Sequence, residues 1–286
     1  MNFKYLLLIF ILSLGVFISS LSILFSKVNN NPVMKISYLD VGQGDATLIQ
    51  TPGGQKILID VGPDGRVLNS ISKELSFFEK DIDAVFITHA DLDHAGGIIS
   101  ILDYFNVSNI FISTVAEDSE LYDSMYKVLE NYNDVVVREI DGGNEILIDE
   151  EYDVTLDVLF PIPDYPFDNR NDKSLFMKLN YGDTSFIFTG DASTDIEEYI
   201  VNNSYESLES NILKVGHHGS DTSTSSSFIK STKSKYGIIS SGKDNDYGHP
   251  HRSVIESLRV EGVEVLRTDK GGNLSVISDG KDILVK

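Results

Sequence analysis

The 286-residue chain is long enough for one large domain, and its 41% hydrophobic and 23% charged residues suffice for a sizeable core. With 23 basic and 44 acidic residues its net charge is −21, which argues against broad, non-specific nucleic-acid binding but leaves a nucleic-acid substrate open. The sequence contains no cysteine, which excludes disulfides, thiolate zinc sites and a cysteine nucleophile.

Residues 1–27 are predicted to form a transmembrane anchor or a signal segment. Residues 5–25 carry no charge, and this 21-residue run would span about 30 Å as a helix, the thickness of a bilayer core. Because the run is long and lacks a clear cleavage site, an uncleaved anchor is favoured over a signal peptide. Residues 28–33 then form a polar linker and residues 34–286 one domain. A single anchor of this type predicts a cell-membrane protein with an extracytoplasmic domain, secreted if the segment is cleaved.

The first half of the domain alternates short apolar runs with amphipathic segments. Turn-forming residues separate the early runs, and an apolar run at residues 84–88 is of the buried-strand type. The pattern predicts strands at 34–40, 46–50, 56–60, 84–88 and 110–113, and helices at 68–78 and 96–105.

The second half repeats this arrangement loosely. Here the pattern predicts strands at 155–160, 175–179, 185–189, 212–215 and 236–240, and helices at 195–201 and 253–261. Two successive sets of strands with interspersed helices indicate two packed sheets flanked by helices. Such elements expose functional residues at strand ends and in loops.

The six histidines fall at three positions in the chain, each shortly after a predicted strand. They form three pairs, His89 with His94, His217 with His218, and His249 with His251. Histidines that serve only packing would not be expected to group in this way. The three pairs therefore predict a single functional site.

The first pair belongs to a dense group of possible metal ligands. His89, Asp91, Asp93 and His94 lie within six residues, between a predicted strand and a predicted helix. Imidazole and carboxylate together suit zinc, manganese and iron. A charged surface turn with incidental histidines is the alternative, but the preceding buried strand and the following Gly-Gly pair argue against it.

This motif, followed by two glycines, resembles the HxHxDH signature of the metallo-β-lactamase fold, with Asp91 in place of the second histidine. Further stretches extend the resemblance to the extracytoplasmic hydrolase domain of ComEC-type competence (DNA-uptake) proteins, over residues 34 to 280. These stretches are LDVGQGD at 39–45, TGD at 189–191, KVGHHGS at 214–220, YGHPH at 247–251 and RTD at 267–269. The chain resembles the hydrolase domain of that family rather than its channel.

The resemblance implies an α+β fold, an αββα four-layer sandwich of two packed mixed β-sheets flanked by helices. It also implies two divalent metal ions, zinc or manganese, as cofactors. Carried over by position, His89 and Asp91 would bind the first ion, Asp93 and His94 the second, and Asp191 would bridge them. Either His217 or His218 would be a further ligand of the second ion, and the other could touch substrate phosphate or act as an acid.

The same resemblance implies that two further aspartates, Asp172 and Asp60, contribute to the metal site. The wider fold has a histidine ligand shortly before the strand that precedes the bridging aspartate, whereas residues 169–175 contain none. Asp172 or Asn171 could substitute there. Asp60 would orient a ligand histidine by a hydrogen bond, unless it merely ends a strand.

The sequence predicts less specific roles for other polar residues near the motifs. Asp40 and Asp45, which flank two glycines, are interpreted as turn formers rather than ligands. His249 and His251 could contact the substrate or its leaving group, and His251 could instead cap the helix that follows.

These observations predict a metal-dependent hydrolase that uses metal-bound hydroxide, with Asp93, His217 and His218 as catalytic residues. The resemblance favours a phosphodiester substrate, including single-stranded DNA, and hence a phosphodiesterase or nuclease. One alternative is a cell-surface phosphoesterase acting on phosphocholine or a teichoic-acid-like polymer, and another is a non-catalytic metal-binding module. The membrane is a partner through the N-terminal segment, and no protein partner can be inferred from the sequence.

Overall fold

The computed structural model describes residues 5, 12–17, 32–115, 120–132, 134–167, 169–204 and 207–286. Residues Met1–Val33 and Met34–Lys286 form two separate compact units. In the first unit residues 12–17 are helical, and most of the predicted membrane segment lies outside the described residues. Over the part that is described, no helix has both the length and the apolar character needed to cross a membrane.

The second unit is built on strands that are short and rich in isoleucine, leucine, valine and phenylalanine, as buried strands are. In chain order they are β1 (Met34–Tyr38), β2 (Ala46–Gln50), β3 (Lys56–Val61), β4 (Asp81–Phe86), β5 (Asn106–Ser113), β6 (Val136–Ile140), β7 (Glu145–Asp149), β8 (Val154–Phe160), β9 (Phe176–Tyr181), β10 (Thr184–Phe188), β11 (Ile212–Lys214), β12 (Tyr236–Ile239), β13 (Glu264–Arg267), β14 (Leu274–Ser278) and β15 (Ile283–Val285).

These strands form two mixed sheets. The first has the order β15-β14-β1-β2-β3-β4-β5-β6, with β3 to β6 parallel and the other pairs antiparallel. The second has the order β13-β12-β11-β10-β9-β8-β7, with β10 to β13 parallel and the remaining pairs antiparallel. Each sheet therefore contains a parallel half, whose strands all end at one edge.

Helices cover the outer face of each sheet. They are α1 (Arg66–Ile71), α2 (Leu92–Ala95), α3 (Ile98–Tyr104), α4 (Glu120–Leu129), α5 (Thr194–Asn203), α6 (Ser226–Thr232), α7 (Arg252–Val260) and α8 (Thr268–Gly271). Apolar residues of α1, α3 and α4 pack on the first sheet, and those of α5, α6 and α7 pack on the second. Parallel strands need such cover because both of their faces are apolar.

The central core lies between the two sheets. Ile36, Ile59 and Phe86 of the first sheet share one buried cluster with Leu156 and Phe186 of the second. Outer clusters join each sheet to its helices. The layers are thus helix, sheet, sheet and helix, which confirms the predicted αββα sandwich.

The helix predicted at 68–78 is wrong in its second half. α1 ends at Ile71, and a turn follows in which Ser76 N donates to Glu79 Oε2 at 2.8 Å and Phe78 N donates to Ser76 Oγ at 3.3 Å. Serine and glutamate side chains that bond the backbone in this way compete with helical hydrogen bonds. The apolar spacing alone did not show that Phe77 and Phe78 point into solvent.

Candidate metal centre

The histidine-bearing loops meet at one end of the domain because of the strand directions. β3 and β4 run parallel in the first sheet and β10 and β11 run parallel in the second, so each pair brings its carboxyl ends side by side. The predicted site residues lie at these ends: Asp60 in β3, His89 to His94 after β4, Asp191 after β10, and His217 and His218 after β11. Segments far apart in sequence therefore build one site.

Asp191 lies at the centre of this site. Its Oδ1 is 3.2 Å from His94 Nε2, and its Oδ2 is 3.9 Å from His89 Nε2. From the other half of the domain, the Nε2 atoms of His217 and His218 lie 3.6 Å and 3.7 Å from the same Oδ2. One carboxylate thus faces four imidazoles from two segments.

Asp93 lies inside the group, whereas Asp91 lies towards its rim. Asp93 Oδ2 is 3.1 Å from His218 Nε2 and so links the first histidine segment to the second. Asp91 is half-buried, and its Oδ1 is 3.3 Å from Nη1 of the exposed Arg170. Burial raises the pKa of the Asp91 carboxyl, against the opposing effect of Arg170.

Asp60 contacts His94 at Nδ1, the ring nitrogen that does not face Asp191. Its Oδ2 is 2.8 Å from His94 Nδ1, while Thr88 N and Thr88 Oγ1 donate to its two oxygens at 2.8 Å each. Asp60 is buried, and this burial raises its pKa despite His94. A ligand histidine is commonly oriented by such a bond to its second nitrogen, which leaves Nε2 to face the ion.

Asp45 plays the corresponding role for His218, which the sequence interpretation as a turn former missed. Its Oδ1 is 3.2 Å from His218 Nδ1, and its Oδ2 accepts from Lys214 Nζ at 2.6 Å. Ser240 O lies 3.1 Å from the same His218 nitrogen. Burial opposes the ionisation of Asp45, but Lys214 and His218 outweigh it and lower the pKa of the carboxyl. A signal existed in Lys214 itself, because a lysine inside an apolar strand needs a buried carboxylate partner.

These side chains fit a divalent cation. One nitrogen or oxygen atom from each of Asp45, His94, Asp191 and His218 lies within 4.8 Å of the others. Because both oxygens of Asp45 already contact Lys214 and His218, we interpret Asp45 as an orienting group and not as a ligand. His94 Nε2 and Asp191 Oδ1 are buried and have no hydrogen-bond partner among the described residues, and the same holds for His89 Nε2. Buried polar atoms without partners in a native fold call for an ion or another ligand.

The buried carboxylate and imidazole groups of the site shift one another's pKa, and Asp191 raises the pKa of His94 and His218 despite their burial. Burial opposes the ionisation of Asp191, but His94 and His218 outweigh it and hold its pKa well below the ordinary range. Burial of the ring, followed by repulsion from His94, lowers the pKa of His89 to about 3. His89 is therefore a neutral imidazole, the form that binds metal.

The adjacent histidines are presented by an unusual turn. His217 and His218 both have left-handed backbones, with φ of 48° and 55°, in the 3₁₀ turn Gly216–Gly219. Non-glycine residues rarely adopt this conformation, and such strain is often found at functional sites. The His218 side chain is buried, while that of His217 is 25% exposed and its Nδ1 is 3.1 Å from Thr222 Oγ1. The structure thus gives the two rings different environments.

The third histidine pair lies at the mouth of the site. The His249 ring is 5.6 Å from that of His217, and its Nδ1 has no partner within the described part of the chain. Burial, together with His218, lowers the pKa of His249 to about 4. His251 is the N-cap residue of α7, but its side chain makes no capping bond, and its Nδ1 accepts from Asp221 N at 3.0 Å.

Asp172 is buried beside the site and braces a turn. Its Oδ2 accepts from Asn169 Nδ2 at 2.8 Å, and its Oδ1 accepts from Ser193 N at 3.3 Å. Ser174, in the same segment, accepts a hydrogen bond from Asp191 N at 3.1 Å. Because both of its oxygens are engaged, Asp172 supports the backbone around Asp191 and is poorly placed to replace the missing histidine.

Known proteins share this sequence and this fold. ComE operon protein 3 of Bacillus subtilis is 31% identical over 261 residues, which cover 84% of this chain and 32% of that protein. Competence protein ComA of Neisseria gonorrhoeae is 29% identical over 240 residues, covering 84% of this chain and 31% of that protein. The chain thus spans about a third of the length of these curated relatives.

A solved structure is similar in fold at low sequence identity. The diiron β-hydroxylase CmlA from Streptomyces venezuelae has a TM-score of 0.58 and 13% identity, covering 88% of this chain and 54% of that one. The family model described as "Metallo-beta-lactamase superfamily" matches residues 39–243, which is more than half of the chain. The chain therefore belongs to the metallo-beta-lactamase superfamily of metal-dependent hydrolases.

Proposed function

We propose that the chain is a membrane-anchored, metal-dependent phosphodiesterase or nuclease whose domain lies outside the cytoplasm. The observation that carries this proposal is the convergence of four imidazole nitrogens, three of them on buried histidines, on Asp191 from both halves of the domain. A donor set of this kind serves hydrolysis of phosphate esters in two-metal enzymes. The two competence relatives support a role near DNA, although the chain spans only about a third of each.

Two divalent ions, zinc or manganese, are the proposed cofactors. Each ion would be held by imidazole and carboxylate together, with Asp191 between the ions: His89 and Asp91 for the first, and Asp93, His94 and His218 for the second. The number of carboxylates makes the set hard enough for manganese as well as zinc. When bound, such ions lower the pKa of water and neutralise the charge that develops on the phosphate.

The remaining histidines would handle the substrate and its protons. His217 is partly exposed and is oriented by Thr222. Beside it, His249 Nδ1 has no hydrogen-bond partner among the residues that the structure describes. Either ring could donate a hydrogen bond to a phosphate oxygen. His217 could also hold the proton that the leaving oxygen requires, whereas the lowered pKa of His249 leaves that ring neutral. His251 fixes the loop at Asp221 and would act on the substrate through that loop.

Two features of the rim support a nucleic-acid strand as substrate. Tyr247 is 68% exposed, and its ring stacks on His249 with 5.7 Å between centroids and 24° between planes. Exposed aromatic faces of this kind stack on the bases of single strands. Arg170 offers an exposed guanidinium beside Asp91, which can contact a phosphate.

Turnover assays on the full chain in detergent test the proposal. Labelled single-stranded DNA and a phosphocholine ester would each be supplied with manganese and with zinc. We expect cleavage of the DNA, and we expect Asp93→Ala to lower turnover at least about 100-fold, because Asp93 joins the two histidine segments at His218. The control is Asp282→Ala, which removes an exposed carboxylate in the β14–β15 connection.

The outcomes separate the competing functions. Cleavage of the phosphocholine ester alone would favour the cell-surface phosphoesterase and overturn the nuclease. Metal binding without cleavage of either substrate would favour the non-catalytic metal-binding module. Full activity in a folded Asp93→Ala variant would overturn the proposed site.

A further inference from the structure

Two phenylalanines expose their rings at the tip of the turn between α1 and β4. Phe77 is 73% exposed and Phe78 is 89% exposed, and their rings meet edge to face with 5.7 Å between centroids. Nearby, Lys80 Nζ lies 3.2 Å from the ring centre of Tyr104, itself 41% exposed, and 5.1 Å from that of Phe77. We call these four residues the aromatic edge. Clustered exposed aromatic rings are a mark of an interaction surface.

The turn that carries the two phenylalanines is firmly built. Glu79 N donates to Ser76 O at 3.0 Å, and Ser76 N donates to Glu79 Oε2 at 2.8 Å. Glu79 also pairs with Lys56 of β3 at 3.4 Å. The rings are therefore presented by an ordered turn, which lowers the entropy lost when a surface docks.

The aromatic edge lies where the domain receives the N-terminal part of the chain. Lys35, the second residue of β1, pairs with Glu74 at 2.8 Å, just before this turn. Lys56 is the first residue of β3, and Lys80 O accepts from Asn106 N at the start of β5. The aromatic edge thus lies at the end of the sheet where β1, β3 and β5 begin. The metal centre lies at the opposite end, where the parallel strands finish.

The chain before β1 identifies what could meet this surface. The uncharged run at residues 5–25 is joined to Met34 by residues 26–33, which reach at most about 28 Å when extended. If the run lies in a bilayer, the length of this linker keeps the start of β1 within about 28 Å of that bilayer. Phenylalanine and tyrosine rings partition favourably into the interfacial region of a bilayer.

We propose that the aromatic edge docks on the bilayer that holds the N-terminal run, with Phe77 and Phe78 seated among the lipid headgroups. The inference rests on the membrane anchorage in the proposed function. The glutamates around the turn are already paired with Lys35 and Lys56, and the chain carries a charge of −21. The contact is thus apolar in character and does not require anionic lipid.

Tryptophan fluorescence tests the docking cleanly, because the chain contains no tryptophan. The full-length Phe78→Trp variant would be reconstituted in phosphatidylcholine vesicles with bromine atoms on the upper acyl chain. The matched control is Tyr247→Trp, which places an exposed indole at the metal-centre end of the domain. We expect both variants to float with the vesicles, and only the indole at position 78 to be blue-shifted and quenched, about 5–10 Å into the interface.

Four other outcomes would overturn the proposal. If both variants float but the indole at position 78 stays unquenched, docking fails while anchorage stands. If neither floats, anchorage fails and docking fails with it. If the indole is blue-shifted in detergent and bromolipid does not quench it, the surface is covered by a second copy or by the chain's own N-terminal segment. Quenching that disappears in high salt would likewise contradict an apolar contact.

Discussion

The two halves of the domain support their buried histidines in different ways. In the first half, His94 Nδ1 lies 2.8 Å from Asp60 Oδ2, with Asp60 in β3 and His94 in α2, which follows β4 of the same sheet. In the second half, His218 bonds Asp45 at 3.2 Å, but Asp45 precedes β2 of the first sheet and also binds Lys214 of β11 in the second. One support is contained in one sheet, and the other joins the two sheets.

This difference means that the Asp60 support mainly positions a ligand, whereas the Asp45 support also stabilises the domain. The Asp60 support can be weakened with the packing of the sheets largely intact. The Asp45–Lys214 pair cannot, because both charges are buried and each satisfies the other. Changes to the Asp45–Lys214 pair should therefore affect folding first, and changes to Asp60 should affect metal binding first.

The largest effect is expected from Lys214→Met. The variant leaves Asp45 as a buried carboxylate without its cation, and we expect the free energy of unfolding to fall by about 3–5 kcal/mol. Urea denaturation of the metal-free chain, followed by circular dichroism, measures this loss.

The matched control is Lys230→Met, because Lys230 is 64% exposed and pairs with Glu261 at 3.5 Å. We expect that variant to lose at most about 1 kcal/mol. Addition of Asp45→Asn to Lys214→Met should recover part of the stability. Equal losses in the two lysine variants would contradict a bridge between the sheets.

The second effect concerns Glu197, which fixes the loop after His218. Its buried carboxylate accepts from Thr224 N at 2.6 Å and from Ser225 N at 2.7 Å, and burial raises its pKa from 4.5 to about 7. Because the folded state holds this proton more tightly than the unfolded chain, the free energy of unfolding decreases as pH rises from 4.5 to about 7. The full change is about 3 kcal/mol.

Glu197→Gln should remove this pH dependence. Unfolding of wild type and variant is measured from about pH 3.5 to about pH 8, one unit beyond each end of the window. The difference between them changes with pH only if the carboxyl titrates as described. Glu198→Gln, at the exposed neighbouring position on α5, should leave the wild-type profile unchanged. A constant difference for Glu197→Gln across the range would show that its pKa is ordinary.

The third effect is on metal affinity in the first half. Asp60→Asn should weaken binding of zinc or manganese by about 10–100-fold, because His94 loses the carboxylate that orients it. Isothermal titration calorimetry of the metal-free chain with zinc or manganese measures the metal affinity. Asp64→Asn, an exposed aspartate paired with Arg66, is the control, and equal affinities for the two variants would refute the orienting role.

The smallest effect distinguishes the adjacent histidines. His217→Gln should lower turnover about tenfold through a lost contact to phosphate, with metal affinity retained. His218→Gln should lose affinity, because His218 is buried and bound by Asp45 and Ser240. A reversal of the two affinities would make His217 the ligand.

The sequence predicted the sandwich and the residues that gather at its edge because both depend on local patterns. Apolar runs marked the strands, and the residues that follow them, such as His89 and Asp191, necessarily lie at one end of the parallel strands. The motif at 89–94 is also contiguous, so its donors could be recognised together.

Other features depend on residues far apart in the chain. Asp45 and Lys214 are separated by 169 positions, and the sequence around either residue does not indicate which residue it pairs with. The left-handed conformations of His217 and His218 are backbone states that helix and strand propensities do not predict. Whether the hydrogen bonds of Asp172 leave an oxygen for an ion likewise depends on Ser193, which is 21 positions away.

The bridge formed by Asp45 has a consequence for when the protein acquires its cation. A chain whose sheets have not yet come together has His218 without its orienting carboxylate, and only part of the donor set is arranged. If the proposed metal site is correct, loading would be a late event in maturation, since a site that is absent from the unfolded chain cannot capture a metal. A polypeptide that crosses a membrane unfolded would arrive empty, and the supply of zinc and manganese on the far side would decide which ion it carries.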